Sequence, residues 1–120
     1  MTKTILLVDD EEGVRSVLSE FLTGLGYNVV EASDGKTALE LFRKQRMDLV
    51  ITDLYMPPGI SGTEVMKNIK VTSPKTPVLI ITGYRPTKSQ EDAMTTKADG
   101  YLIKPFELER LKATIRQFIR

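Results

Sequence analysis

The sequence predicts a single α/β domain: a five-stranded parallel sheet, doubly wound, with five helices shared between its two faces. Three observations carry that expectation. Short apolar runs alternate with amphipathic stretches along the whole 120 residues, which is the pattern of strand–helix units joined by right-handed crossovers. The connections are short and rich in Gly, Pro and Asp, so neighbouring units pack against one another. One run, Leu49-Val50-Ile51-Thr52, leads into Asp53 and is soon broken by Pro57-Pro58-Gly59. A buried strand of a parallel sheet reads this way, and it places a carboxylate at the carboxyl end, where open α/β sheets bind ligands.

Each element has its own signal. Thr4 to Val8 is apolar and β-branched and ends in Asp9-Asp10-Glu11-Glu12. Val14, Val17, Leu18, Phe21, Leu22 and Leu25 then recur at helical spacing, and Gly24 and Gly26 stop that helix. Tyr27 to Ala32 returns to strand character. Asp34-Gly35 turns into a second helix, with Ala38, Leu39 and Phe42 inward, that fades near Gln45. Asp48 precedes the central strand. Ser61-Gly62-Thr63-Glu64 has the spacing of a capping box and opens a helix carrying Val65, Met66 and Ile69 inward, ended by Ser73-Pro74 and Pro77. Val78 to Ile81 is a fourth strand and ends in Thr82-Gly83. Pro86 and Thr87 open a short helix, with a second capping box at Thr87 and Gln90 and a weak apolar face of Ala93, Met94 and Ala98. Tyr101 to Ile103 is the fifth strand, ending in Lys104-Pro105. The last helix turns Leu108, Leu111, Ile115 and either Phe118 or Ile119 inward.

Composition narrows the chemistry. With 41% hydrophobic and 28% charged residues the chain is an ordinary globular protein. A net charge of +1 without a basic tail gives a nucleic-acid surface no support. Cysteine and histidine are both absent. Disulfides, thiolate nucleophiles and imidazole chemistry are therefore excluded, and a metal would have to be a hard cation on oxygen ligands. No apolar stretch approaches membrane-spanning length and the amino terminus lacks a signal-peptide pattern, so the expected location is the cytoplasm.

Four of the five strands end in chemically capable groups: Asp9-Asp10, Asp53, Thr82 and Lys104. In a parallel sheet these ends share one edge. Gathered carboxylates repel unless a cation sits among them, and Mg²⁺, with Mn²⁺ as a substitute, suits one or two carboxylates with retained water. Asp10 and Asp53 are the ligand candidates, with Asp9 close behind through water and the Tyr55 carbonyl as an added donor. Taken alone, Asp9 to Glu12 reads equally well as an acidic helix start, Thr82 as a turn threonine and Lys104 as solvated surface. The common edge favours the chemical reading. Lys104 can pair with a carboxylate or hold a phosphoryl oxygen, and Thr82 can donate its hydroxyl. A nucleophilic carboxylate, a cation, a hydroxyl and an ammonium together match aspartyl-phosphate chemistry.

These residues stand in stretches that resemble the receiver domain of bacterial two-component response regulators, the single-domain chemotaxis receiver being the simplest relative. The matching pieces are Ile5 to Glu11, Asp53-Leu54-Tyr55-Met56-Pro57 with Gly62, Ile81-Thr82-Gly83, and Ala98 to Phe106. The likeness spans residues 1–120 as one receiver domain. It implies a flavodoxin-like three-layer sandwich with strand order 2-1-3-4-5. It implies that Asp53 accepts a phosphoryl group from the phosphohistidine of a sensor histidine kinase or phosphotransfer protein. Asp10 and Asp53 would bind Mg²⁺, helped by Asp9 and the Tyr55 carbonyl, while Lys104 and Thr82 would contact the phosphoryl group. Tyr101 matches the switch aromatic, Lys104–Pro105 the bond often cis, and the surface from Thr87 to Arg120 the output face for a downstream effector or attached output domain. A phosphorylation-dependent dimer is compatible with apolar patches on the last two helices. The resemblance implies no membrane contact, no nucleic-acid contact by this domain, and no turnover of a separate substrate. Two departures stand out: the Met56–Gly62 loop is one residue longer than usual, and Gly83 replaces a more frequent alanine.

The rival readings are weaker on specific residues. A Mg²⁺-dependent small-molecule phosphatase or phosphotransferase would want a second acid where Tyr55 stands, and a substrate cap. A flavodoxin-like cofactor carrier would want a phosphate-cradling loop where Asp9 to Glu12 would repel one. A receiver-shaped docking module would have no use for the acids. The sequence is compatible with a complete single-domain receiver, a phosphorelay intermediate or the amino-terminal part of a longer regulator.

Overall fold

Strands that are apolar on both faces need a covering layer on each side, and the chain supplies one. In the computed structural model, which describes residues 2–83 and 98–120, the elements run β1 (Thr4–Val8), α1 (Glu12–Gly24), β2 (Asn28–Ala32), α2 (Gly35–Lys44), β3 (Leu49–Asp53), α3 (Gly62–Thr72), β4 (Val78–Thr82), β5 (Gly100–Ile103) and α4 (Leu108–Arg116). The strands form one parallel sheet in the order β2-β1-β3-β4-β5. The helix expected from Pro86 and Thr87, with its capping box and its Ala93 and Met94 face, lies outside the described residues. Ala98, expected on that helix, instead sits in the bend before β5 and packs against the core.

Alternation along the strands divides the core in two. Ile5, Leu7, Leu49, Ile51, Leu79, Ile81 and Leu102 face α1 and α4, meeting Leu18, Leu22, Leu111, Ile115 and Ile119. Leu6, Val8, Val50, Val78 and Ile80 face α2 and α3, meeting Ala38, Val65, Met66 and Ile69. Two residues expected on inner helical faces are exposed. Val17 on α1 and Leu108 at the start of α4 border an open apolar groove with Phe106. Of the pair left open at the end of the chain, Ile119 is the more buried and Phe118 packs partly against the same cluster.

Local chemistry sets the boundaries. Asp34 caps α2, accepting the Thr37 N–H at 2.7 Å. Ser61 Oγ caps α3 by accepting the Glu64 N–H at 3.2 Å. Gly26 takes φ +98° just past α1, a conformation that favours glycine. The bonds before Pro58 and Pro105 are cis. Lys70 Nζ, near the end of α3, donates to the Thr76 carbonyl at 2.8 Å and to Asp99 Oδ2 at 2.6 Å, while that oxygen also accepts the Val78 N–H at 2.8 Å. One lysine thereby ties together the starts of β4 and β5.

Gly62 positions the end of β3. Its N–H donates to the Leu54 carbonyl at 2.8 Å, and a Cβ at this position would overlap the Asp53 carbonyl oxygen and its carbon. Only a residue without a side chain lets α3 start this close to Asp53. Gly62→Ala is therefore expected to cost about 1–3 kcal/mol of stability, typical of overpacking, read as a lowered urea midpoint.

Candidate functional site

The carboxyl edge of the sheet gathers acids from two strands and a lysine from a third. Asp9 follows β1, Asp53 ends β3 and Lys104 follows β5. Register aligns Val8 with Thr52, Asp53 with Ile81 and Thr82 with Ile103, so strand ends distant in sequence share one rim. Carboxylate oxygens of Asp9, Asp10, Glu11 and Asp53 all lie within 4.8 Å of one another. Asp9 and Asp53 are buried; Asp10 and Glu11 are exposed. Lys104 Nζ sits 3.3 Å from Asp9 Oδ2 and 3.5 Å from Asp53 Oδ2. An open cleft of about 360 Å³ borders the group, lined by Asp10, Glu11, Asp53, Tyr55, Pro57, Gly83 and Lys104.

Backbone contacts fix the Asp9 loop. The Asp9 N–H donates to the Ala32 carbonyl at 3.1 Å. The Asp9 side chain accepts the Glu11 N–H at 2.9 Å. Its carbonyl accepts from Arg15 Nη1 at 2.7 Å.

Of the residues singled out from sequence, Asp9, Asp10, Asp53 and Lys104 converge, and Tyr55 lines the cleft with an exposed side chain. Thr82 is fully buried at the end of β4, where its carbonyl accepts the Lys104 N–H at 2.7 Å; the adjacent cleft wall is Gly83. Tyr101 is half-buried on β5, packed against the cluster under α2 and α3, and is not among the cleft's lining residues. Sequence reasoning missed two participants. Glu11 was legible as part of the acidic run. Arg15 carried no signal, since an arginine one turn into a helix is ordinarily solvated.

Burial pushes the Asp53 carboxyl above the usual carboxylate range, and the neighbouring Asp9 charge adds to that, while Lys104 opposes it. For Lys104, burial acts to lower the ammonium's pKa. The Asp9 and Asp53 charges outweigh it, and the net direction is upward. Four carboxylates with one lysine in ion-pair distance, among the described residues, leave an excess of negative charge. That donor set, hard oxygen throughout, fits a divalent hard cation.

Comparison with known proteins gives this edge its context. The family model described as response regulator receiver domain matches residues 5–116. The chain belongs to that family. This receiver domain is 41% identical over 113 residues to the transcriptional regulatory protein ZraR of Escherichia coli K12, a match covering 94% of this chain and 25% of ZraR. It is 31% identical over 119 residues to sporulation initiation phosphotransferase F of Bacillus subtilis, covering 99% of this chain and 95% of the relative. The response regulator TrrA from Thermotoga maritima, solved in complex with Mg(2+)-BeF, superposes with a TM-score of 0.89 at 36% identity, covering 98% of this chain and all of TrrA. The receiver thus spans a quarter to about a half of the length of several curated relatives. Receiver domains are phosphoacceptor signalling modules that work with histidine kinases and output domains, and the strand order 2-1-3-4-5 expected from the resemblance is the one observed. No helix among the described residues is long and apolar enough to cross a membrane.

The raised Asp53 pKa has a sign that can be checked. In the unfolded receiver the carboxyl titrates near its ordinary 3.8, and folding moves it up. The folded state thus holds this proton more tightly, and ionising Asp53 costs stability as pH rises through that window and above it. Asp53→Asn is expected to raise the metal-free melting midpoint at neutral pH, with the gain shrinking as pH falls into the ordinary carboxylate range. Lys104 contributes in the opposite sense: its folded pKa lies above the ordinary 10.5, so its stabilisation is complete at neutral pH and is lost only as pH rises through the folded value.

Proposed function

We propose that Asp53 is the phosphoacceptor of this receiver, and that residues 1–120 act as one receiver domain. The observation that supports this most is the Asp53 carboxylate itself, held at the cleft among three other acids and 3.5 Å from Lys104. An Asp53 oxygen attacks the phosphorus of a donor phosphohistidine. The P–O bond forms as the P–N bond breaks, and the imidazole leaves with its electron pair. Lys104 meets charge on the transferred oxygens as a point cation. Thr82 donates its hydroxyl to the same group. With little covalent work for the protein to do, positioning and charge supply most of the rate.

Asp10 and Asp53, with Asp9 through water and the Tyr55 carbonyl, would hold Mg²⁺, or Mn²⁺ in its place. Bound there, the cation neutralises charge on the phosphoryl oxygens. Mg(2+)-BeF in the TrrA complex supports that choice of metal. Water later attacks the acyl phosphate and returns the Asp53 carboxylate, so the cycle is self-phosphorylation and self-dephosphorylation without a separate substrate. The donor is a sensor histidine kinase or phosphotransfer protein in the cytoplasm. Phosphorylation shifts a two-state balance in which Thr82 and Tyr101 move together. The Thr87–Arg120 surface, described here from residue 98 onward, then meets a downstream effector or an attached output domain.

Intact-mass measurement after incubation with Mg²⁺ and acetyl phosphate tests this reading. The wild-type chain is expected to gain one phosphoryl group, and Asp53→Asn or an excess of chelator to abolish the gain. A gain that persists in Asp53→Asn would place the acceptor elsewhere.

A further inference from the structure

Beside the acid pocket, a chain of contacts reaches from its backbone to the solvent face of α1 and β2. Arg15 and Ser19 lie four residues apart on α1 and so share a face. Arg15 Nη1 donates to the Asp9 carbonyl at 2.7 Å, and its Nε pairs with Glu31 Oε1 on β2 at 3.2 Å. Ser19 Oγ donates to the other oxygen, Glu31 Oε2, at 3.1 Å. The Arg15 side chain is only 17% exposed. The planar guanidinium spends two edges at once, one on the pocket and one on Glu31, which an ammonium could not do with fixed geometry.

The Asp9 carbonyl belongs to the peptide group that joins Asp9 to Asp10. Its orientation sets the direction in which the exposed Asp10 side chain leaves the backbone, and Asp10 supplies one of the gathered carboxylates. We infer that Arg15, braced by Glu31 and Ser19, is a positioning residue: it locks the Asp9–Asp10 peptide plane so that the Asp10 carboxylate is aimed for the divalent cation. The inference rests on the reading of the pocket as a Mg²⁺ site. Two effects of Arg15 oppose each other there. Its positive charge near the pocket disfavours a cation, whereas its hold on the peptide favours one. Groups that orient metal ligands are typically worth tenfold or more in metal affinity. A partly exposed charge acting across a carbonyl is worth less after solvent screening, so the hold wins.

The two effects predict opposite signs, which makes the test clean. Mg²⁺ is titrated calorimetrically into the metal-free chain. Arg15→Met, which removes the charge and the donor but keeps an apolar stem, is expected to bind about tenfold more weakly; a charge effect alone would make it bind more tightly. Arg15→Lys keeps the charge and is expected to weaken binding as well, where charge alone predicts no change. The Asp10 amide resonance of the metal-free protein reports the peptide directly and is expected to move in both variants while thermal midpoints show them folded. Unchanged or tighter Mg²⁺ binding in Arg15→Met, or an Asp10 amide that stays in place, overturns the inference. Failure of the wild-type chain to bind Mg²⁺ overturns the metal reading of the pocket instead, and the Asp10 amide then decides alone whether Arg15 fixes that peptide.

Discussion

Two buried carboxylates share one ammonium at the carboxyl edge of the sheet, and the fold is arranged to keep them there. Asp9 and Asp53 lie 3.3 and 3.5 Å from Lys104 Nζ. In water, such a cluster would relax by rotation and solvation. Here each member is fixed by a strand on either side of it or just before it, so the charges stay close although Asp9 repels Asp53. The excess negative charge that results is unfavourable for the empty fold and favourable for a divalent cation. A site that is costly when empty gains the most when it is filled.

Strand register does the first part of this work and close backbone packing does the second. Parallel pairing puts Val8 beside Thr52 and Asp53 beside Ile81, so the side chains that follow emerge at one level. Gly62 lets the start of α3 rest on the Asp53 carbonyl. The Thr82 carbonyl fixes the Lys104 backbone at 2.7 Å. The site is thus held by groups with no reactive chemistry, and these are harder to recognise in sequence than the acids.

This difference explains what the sequence revealed. Runs such as Leu49 to Thr52 and Val78 to Ile81 are apolar on both faces, and only a covered parallel strand makes that stable; their places and their shared edge could be read directly. Asp9, Asp10, Asp53 and Lys104 were legible because each follows such a run. Arg15 was not, because its contacts are with a carbonyl six residues before it and a glutamate on β2, and neither leaves a pattern at helical spacing. Lys70 escaped notice for the same reason: its partner Asp99 is 29 residues away. Val17 and Leu108 failed in the other direction. Their helical spacing is right, but periodicity gives only the angle around a helix. It does not say how wide a stripe the core covers: Val17 stands on the flank of that stripe, between Val14 and Leu18, which do pack on the core, and Leu108 is the first residue of α4.

The two departures from the family pattern, the longer Met56–Gly62 loop and Gly83, have different physical standing. The loop is anchored at both ends: Met56 is buried, its carbonyl accepts the Gly59 N–H at 3.1 Å, and the Ile60 side chain fills the space over Gly35 at the start of α2. Pro58 and Gly59, where the extra residue stands, are exposed, while Pro57 still borders the cleft. At Gly83 nothing among the described residues lies within 4 Å of where a Cβ would stand, and its φ is not in the left-handed region. Among the described residues, neither space nor backbone conformation demands glycine there. What glycine changes is the cleft wall itself, which Gly83 lines. Lacking a side chain, Gly83 contributes only backbone to the wall that it shares with Asp53.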